Sequence, residues 1–279
     1  MKAAVLGSPI AHSLSPVLHR TAYAELGLDD WTYSQVECDS AGLDGFVSGL
    51  DSSWAGLSLT MPLKRTVLGL LDHADPVAIA TGSANTVVFR DGDRYGYNTD
   101  VRGIVDALTE AGAPAPGNVT IVGGGATACS ALAAVSELGA QAADVVVRDP
   151  SRATDLSEAA GRLGVRVQFR PFGHLTADSA RSAPDLLIST LPARVADGYG
   201  RFIRTSGIAP PSVMDVVYHP WPTELASAAT AAGSVVASGF TMLLYQAAAQ
   251  VELMTGKPAP VEAMRAAGEA ELARRGAPG

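Results

Sequence analysis

A strand, a glycine turn and a helix start follow one another between Val119 and Ala128. The apolar run Val119–Val122 leads into Gly123-Gly124-Gly125-Ala126-Thr127-Ala128, which has the pattern G-x-G-x-x-A. In this pattern Gly123 suits the tight turn, Gly125 lets backbone N–H groups approach a pyrophosphate, and Ala128 permits close packing of the helix on the strand. Helix N-termini attract phosphate groups. The motif therefore predicts dinucleotide binding, although a tight βα turn without a ligand has the same pattern.

The segments after this motif alternate between short apolar strands and amphipathic helices. Short buried strands separated by helices indicate a parallel, doubly wound sheet of the Rossmann type. Helices are predicted at Thr127–Leu138 and Ser151–Leu163. The remaining strands are predicted at Asp144–Val147, Val165–Phe169, Leu186–Ser189, Val213–Val217 and Ser234–Ala237.

The first third of the chain also reads as α/β, with one antiparallel pair around the hairpin signal Asp91-Gly92. Ser15 is a candidate N-cap, followed by Pro16 at the first helical position. Strands are predicted at Ala3–Leu6, Thr32–Glu37, Ala55–Thr60, Ala84–Arg90 and Arg94–Tyr97, and helices at Ser15–Leu26 and Ser40–Leu50.

The predicted organisation has a substrate-binding and catalytic α/β domain at 1–100 and a nucleotide-binding Rossmann domain at 101–237. A connecting helix is predicted at Val101–Ala111, before a Pro/Gly-rich stretch that is typical of a boundary. The tail, 238–279, is predicted to form two helices, Phe240–Met254 and Val261–Arg274, which return to pack on the first domain.

Composition narrows the classes of partner. The formal net charge of −8 argues against nucleic acid and anionic membranes, which attract a basic face. The 2 cysteines are too few for a disulfide framework, and the 5 histidines are scattered without ligand spacing, so no metal site is expected. No signal peptide fits the start of the sequence. We therefore expect a cytoplasmic protein that acts on a small molecule.

The residues after the second predicted Rossmann strand bear on the choice of cofactor. Arg accepts a 2′-phosphate at this place, whereas Asp or Glu holds a free ribose hydroxyl. Arg148 and Arg152, with Ser151 as an added donor, favour NADP. Asp149 is an unfavourable neighbour for a phosphate, so NAD remains an alternative. The two arginines are also explained as solvated residues at a helix start.

Three clusters in the first domain carry groups suited to chemistry. Ser13 and Ser15 near a helix start can donate to a carboxylate. Lys64 follows a buried strand, and an ammonium group, unlike a guanidinium, can exchange a proton near neutral pH. Asn85 and Asp100 flank the hairpin. A Lys64–Asp100 couple could pass a proton to an alkoxide, although Lys64 taken alone reads as a surface lysine and Asp100 as a helix N-cap.

Seven segments together resemble the shikimate dehydrogenases over almost the full length. Their order and spacing are more specific than any one of them. They are Gly7–Pro16, Leu59–Lys64, Ala84–Thr86, Asn98–Asp100, the glycine loop, Asp215–Tyr218 and Gly239–Gln246. The chain departs from the family in its Gly-Gly-Gly-Ala loop, in Val147-Arg148-Asp149, of which only Arg fits the 2′-phosphate signature, and in Ser238 before Gly239.

The resemblance implies NADP-dependent, reversible reduction of 3-dehydroshikimate to shikimate in aromatic amino-acid biosynthesis, by a monomer or homodimer. It implies that Lys64, paired with Asp100, transfers the proton. The substrate contacts it implies are Ser13, Ser15 and Tyr218 for the carboxylate, and Thr60, Asn85, Asp100 and Gln246 for the ring hydroxyls. The cofactor contacts it implies are Gly123, Gly124, Gly125, Ala126, Thr127, Ala128, Arg148, Ser151, Arg152, Gly239 and Met242.

Two other functions remain open at this stage. A quinate or aminoshikimate dehydrogenase, with NAD as an alternative cofactor, would have the same motifs. A non-catalytic dinucleotide-binding sensor on the same scaffold is a second alternative, which the altered residues Arg148-Asp149 favour slightly and which the intact Lys64 and Asp100 disfavour.

Overall fold

The computed structural model describes residues 1–172 and 183–276. The chain divides into two compact units, Met1–Thr99 with Leu244–Gly279, and Asp100–Leu243. We call them unit 1 and unit 2. The first limit, at Thr99, lies one residue from the predicted limit at 100. The second, at Leu243, lies six residues beyond the predicted limit at 237.

Unit 1 contains a mixed six-stranded sheet, in the order β2-β1-β3-β5-β6-β4. Strands β1, β2 and β3 are parallel, whereas β5 is antiparallel to both β3 and β6. The strands are β1 Lys2–Gly7, β2 Thr32–Glu37, β3 Trp54–Leu59, β4 His73–Ala74, β5 Thr86–Arg90 and β6 Asp93–Tyr97. The helices up to this point are α1 Ser15–Glu25, α2 Leu43–Ser48, α3 Leu63–Thr66 and α4 Pro76–Thr81, with a 3₁₀ turn at Val67–Leu70.

Two apolar clusters cover this sheet. One contains Leu6, Leu57 and Leu63, and the other contains Val5, Tyr33 and Val88. Because adjacent strand residues point to opposite faces, Val5 and Leu6 alone indicate that both faces of β1 are buried.

Unit 2 contains a fully parallel sheet, in the order β12-β11-β10-β7-β8-β9. This is the doubly wound Rossmann order with its switch point between β7 and β10, as predicted. The strands are β7 Val119–Val122, β8 Ala142–Val147, β9 Arg166–Pro171, β10 Leu186–Ser189, β11 Ser212–Asp215 and β12 Val235–Ser238. The helices are α5 Asp100–Glu110, α6 Ala126–Glu137, α7 Thr154–Leu163, α8 Asp197–Ser206 and α9 Glu224–Ala231.

The last two helices are α10 Gly239–Thr255, most of which belongs to unit 1, and α11 Val261–Gly276. Within unit 1, α11 packs against α1. The predicted return of the tail to the first domain is therefore confirmed. No helix among residues 1–172 and 183–276 combines the length and apolar character needed to span a membrane.

Two local predictions are wrong. Ser15 is not an N-cap: Leu14 occupies that position, and Ser15 is the first residue of α1. Its N–H donates to the Ser13 hydroxyl instead, at 3.2 Å. The helix predicted from Ser151 begins only at Thr154, because Asp149 caps a separate 3₁₀ turn over Pro150–Arg152.

Candidate active site

Four chain segments meet at one edge of the unit 1 sheet. Because β1 and β3 are parallel, their carboxyl ends lie at the same edge, with Leu6 opposite Leu59. Antiparallel β5 starts where β3 ends, and β6 ends beside the start of β5, with Thr86 opposite Tyr97. The backbone of Asn85 closes the edge, because its C=O accepts from Leu59 N–H at 2.7 Å and its N–H donates to Tyr97 O at 3.0 Å. This edge carries the predicted residues Ser13, Ser15, Thr60, Lys64 and Asn85.

The loop that contains Ser13 is held by the C-terminal helix. Arg275 Nη1 donates to His12 O at 2.7 Å, and its Nη2 donates to Ser13 O at 3.4 Å. Glu271, one turn earlier, accepts from Arg275 Nε at 2.8 Å and so orients the guanidinium. Sequence reasoning missed both residues, since Glu and Arg four positions apart on a helix are ordinarily a solvated pair. Ser15 beside this loop is buried.

Gly7 lets the end of β3 come close to the end of β1. A Cβ on Gly7 would clash with Thr60 Cγ2 and lie 3.0 Å from Met61 O. Thr60 is therefore held against the start of the Ser13 loop. Lys64 lies half-buried in α3, and its carbonyl accepts from Ala84 N–H at 2.8 Å. The backbone of the predicted proton-transfer residue is thus tied to the residue that precedes Asn85.

Asn85 is almost fully buried, at 1% exposure, and connects two further site segments. Its Oδ1 accepts from Thr99 N–H at 2.8 Å, and its Nδ2 donates to Gln246 Oε1 at 3.3 Å. These contacts bring Gln246 on α10 to the same edge as Asn85. Asp100, the next residue after Thr99, is buried at the first position of α5, in unit 2. The meeting of Lys64 with Asp100 stays a prediction.

The glycine loop of unit 2 has the geometry of an anion site. Gly123 has φ +124°, a conformation that favours glycine, and a Cβ there would clash with Thr190 Oγ1. Gly125 is the N-cap of α6, and a Cβ on it meets no atom within 4 Å. Gly124 and Gly125 are exposed, whereas Ala128 is fully buried in contact with the core. Because Gly124 and Gly125 have no side chains, the N–H groups at the start of the twelve-residue helix α6 are open to a pyrophosphate.

Beyond β8, the predicted phosphate-binding residues lie in an exposed turn. The Asp149 carboxylate accepts from both Ser151 N–H, at 3.0 Å, and Ser151 Oγ, at 2.6 Å. These hydrogen bonds lower the pKa of Asp149 below its usual range. Ser151 is thus engaged with a carboxylate, whereas the side chains of Arg148 and Arg152 are exposed. The two arginines fit a 2′-phosphate better than Ser151 does.

A buried carboxylate holds the segment that carries Tyr218. Asp215 is 1% exposed and accepts from Thr223 Oγ1 at 2.8 Å and from Val217 N–H at 3.3 Å. Burial raises the pKa of Asp215. Sequence reasoning quoted Asp215 only as part of a motif and missed this role. Gly239 packs so closely on Val216 that a Cβ would clash with its carbonyl.

The predicted site residues fall into both units. Unit 1 holds Ser13, Ser15, Thr60, Lys64, Asn85 and Gln246. Unit 2 holds Asp100, Tyr218 and the predicted cofactor residues Gly123, Gly124, Gly125, Ala126, Thr127, Ala128, Arg148, Ser151, Arg152, Gly239 and Met242. In the part of the chain that the structure describes, no group of three or more His, Cys, Asp or Glu side chains could hold a metal ion.

Comparison with known proteins agrees with this arrangement of motifs. Residues 5–87 match the family model of the shikimate dehydrogenase substrate binding domain, and residues 239–267 match that of the shikimate 5′-dehydrogenase C-terminal domain. The shikimate dehydrogenase (NADP(+)) of Methanothrix thermoacetophila is 36% identical over 276 residues, which cover 97% of each chain.

Solved structures agree over similar lengths. Mycobacterium tuberculosis shikimate dehydrogenase has a TM-score of 0.85 and 44% identity, covering 96% of this chain and 99% of that one. The Thermus thermophilus enzyme, solved in complex with NADP(H) and shikimate, has a TM-score of 0.82 and 31% identity, covering 97% and 99%. With full-length relatives above 30% identity and with its motifs in place, this chain belongs to the shikimate dehydrogenase family.

Proposed function

We propose that the protein catalyses the NADP-dependent, reversible reduction of 3-dehydroshikimate to shikimate, a step of aromatic amino-acid biosynthesis. One observation carries the proposal: residues with hydroxyl, amide and ammonium side chains lie at one sheet edge of unit 1, in a chain of this family. These groups match a small carboxylic acid with several ring oxygens. The complex of the Thermus relative with NADP(H) and shikimate supports the same ligands.

Substrate binding is assigned to side chains that can donate to oxygen. Ser13 and Ser15, together with Tyr218, would hold the carboxylate, because hydroxyl donors near a helix start suit an anion. Thr60, Asn85, Gln246 and Asp100 would hold the ring oxygens. This set gives unit 1 the role of the substrate domain and unit 2 that of the nucleotide domain.

Lys64 is proposed to carry the proton. Its Nζ would donate to the ring keto oxygen as the adjacent carbon takes up hydride, which yields the hydroxyl group of shikimate. NADPH supplies that hydride when it is bound. Asp100 would orient the ammonium group, and Lys64 then regains a proton from solvent. An arginine could not replace Lys64, because a guanidinium does not release its proton.

Cofactor binding is assigned to the glycine loop and the turn after β8. The open N-terminus of α6 would take the pyrophosphate, next to Gly123, Gly124, Gly125, Ala126, Thr127 and Ala128. Arg148 and Arg152 would contact the 2′-phosphate, with Ser151 released from Asp149. Gly239 and Met242 are proposed to contact the nicotinamide side of the cofactor.

A substrate-by-cofactor activity grid tests the proposal. Purified protein is assayed for oxidation of shikimate and of quinate, each with NADP and with NAD, by the absorbance of the reduced nicotinamide. The proposal predicts that shikimate with NADP gives the highest kcat/KM. A higher value with quinate or with NAD would favour the alternative dehydrogenases, and no turnover by folded protein would contradict the proposal.

The proton-transfer role has a matched test. Lys64→Arg keeps the positive charge and should lower kcat by about a thousandfold, with a smaller change in KM for shikimate. Lys2→Arg makes the same change at an exposed lysine of unit 1 and should keep the wild-type kcat. A Lys64→Arg variant with wild-type kcat would exclude Lys64 as the proton donor.

We also propose that the protein acts in the cytoplasm as a monomer or homodimer. Neither Cys38 nor Cys129 forms a disulfide, and both are buried, which supports a reducing compartment. Light scattering on the purified protein distinguishes the two assembly states.

A further inference from the structure

Gln250 lies one turn after Gln246 on α10 and is 1% exposed. Its amide is hydrogen-bonded at both ends. Oε1 accepts from Ser58 Oγ at 2.8 Å and lies 3.2 Å from His19 Nε2. Nε2 donates to Thr86 Oγ1 at 3.0 Å and to the backbone carbonyl of Asn85 at 3.2 Å. Burying an amide is costly unless it is hydrogen-bonded, so this arrangement fixes the side chain.

The direction of these bonds follows from the backbone. The carbonyl of Asn85 can only accept, so the nitrogen of the Gln250 amide must face it. The oxygen then faces Ser58 and His19, and both must donate. His19 is neutral, because burial lowers its pKa to about 3, and it carries its proton on Nε2. Thr86 Oγ1 accepts a hydrogen bond from Gln250 Nε2.

The direction of the Gln250 bond also determines the direction of the bond between Thr86 and Asn85. Because the Thr86 hydroxyl accepts from Gln250, its hydrogen is available to donate to Asn85 Oδ1, at 2.8 Å. Thr99 N–H donates to the same oxygen. With Oδ1 held by two donors, the amide nitrogen of Asn85 is turned toward Gln246, whose Oε1 accepts from it at 3.3 Å.

The opposite end of the chain of hydrogen bonds is Tyr33. Because the Ser58 hydroxyl donates to Gln250 Oε1, Ser58 Oγ must accept from the Tyr33 hydroxyl, at 2.7 Å. One directed chain of hydrogen bonds therefore runs from Tyr33 to Asn85 beneath the site edge, and all of its members belong to unit 1.

We propose that Gln250 is a positioning residue that determines whether the site donates or accepts hydrogen bonds when it binds the substrate. By fixing Asn85 Oδ1 inside the network, it directs Asn85 Nδ2 to Thr99 Oγ1, at 2.9 Å, and to Gln246 Oε1. With its oxygen facing Asn85, the Gln246 side chain presents its amide nitrogen to the ligand. The site then selects ring oxygens that accept hydrogen bonds at this position. This inference rests on the proposed function, since it concerns recognition of the same substrate.

Gln250→Met tests the role because methionine has a similar volume and cannot form these bonds. We expect the dissociation constant for shikimate, measured by calorimetry, to rise about tenfold, as for the loss of an oriented hydrogen bond. The dissociation constant for NADP should stay within about twofold of wild type, a split that general destabilisation would not produce. Folded Gln250→Met with wild-type affinity for shikimate would overturn the proposal.

Gln250→Glu adds a pH signature. A protonated glutamic acid can accept from Ser58 and donate to Thr86 like the amide, whereas the ionised form can only accept. Shikimate affinity of this variant should therefore fall as pH rises from mildly acidic to mildly alkaline, relative to wild type. A profile parallel to that of the wild type would count against the directed chain.

A pair of threonine variants decides the question if Gln250→Met does not fold. Thr86→Val removes one link and should weaken shikimate binding about fivefold. Thr81→Val is the matched control, because Thr81 is as deeply buried in unit 1 but donates to Val77 O at 2.8 Å, outside the chain. Equal affinities of the two variants would refute the proposal. A wild-type protein that neither binds nor oxidises shikimate would instead refute the proposed function.

Discussion

Acidification should destabilise unit 1 through His19. The imidazole is fully buried, stacks on the Tyr33 ring at a centroid distance of 4.0 Å, and bonds to Gln250. Burial lowers the pKa of His19 from 6.5 to about 3. Between these two values the unfolded chain binds a proton that the folded chain does not, so the free energy of unfolding falls as pH falls.

The size of this effect follows from the two pKa values. Each pH unit below the unfolded value of 6.5 costs about 1.4 kcal/mol. From about pH 7 to about pH 5, His19 alone should lower the free energy of unfolding by about 2 kcal/mol, and the loss ends near the folded value. The adjoining side chains do not titrate in this range, because burial raises the pKa of Tyr23 and Tyr33 and Gln250 is uncharged.

Urea unfolding at several pH values measures the effect. In a Trp221→Phe background, fluorescence comes only from Trp31 and Trp54, both in unit 1. The difference in stability between wild type and His19→Phe should change by about 2 kcal/mol from pH 7 to pH 5. His219→Gln, at an exposed histidine of unit 2, is the matched control and should leave the pH dependence of the unit 1 fluorescence signal as in the wild type. Parallel curves for wild type and His19→Phe would refute the argument.

Three further changes have expected outcomes. Asp149→Asn removes a negative charge beside the proposed 2′-phosphate site and should raise the ratio of kcat/KM with NADP to that with NAD about fivefold. Arg275→Met releases the carbonyls of the Ser13 loop and should raise KM for shikimate about fivefold, with kcat nearly unchanged. Gly123→Ala forces a side chain into a conformation with φ +124° and against Thr190, so urea unfolding should show unit 2 destabilised by about 2 kcal/mol.

The strands could be predicted from the sequence because their signal is local. A strand pattern identified Thr32–Glu37, and short apolar runs identified Val119–Val122 and Leu186–Ser189, all three with the limits that the structure has. Helix α8 was missed because its sequence contains two glycines, which disfavour a helix interior. Gly200 is required there by tertiary packing, since a Cβ would lie 2.6 Å from Glu224 O of α9.

The grouping of the site residues could also be predicted from the order of the strands. The residues that hold the site in place could not. Once β1 and β3 are parallel neighbours, Ser13 and Lys64 must follow strands that end at one edge. Arg275 supports this edge from more than 250 residues away in the chain. A contact of that separation depends on where α11 packs, which no local pattern in the sequence indicates.

The two glutamines of α10 contain a signal in the sequence that predicts the helix next to the site. Gln246 and Gln250 are four residues apart, so they share one face of the helix. Ala247, Ala248 and Val251 around them are buried, and a buried amide requires hydrogen-bonding partners. Two amides on the buried face of this helix therefore predict that the helix covers a polar surface. That surface is the edge of the sheet at which Asn85 lies, so the pair indicates which helix forms the back of the site.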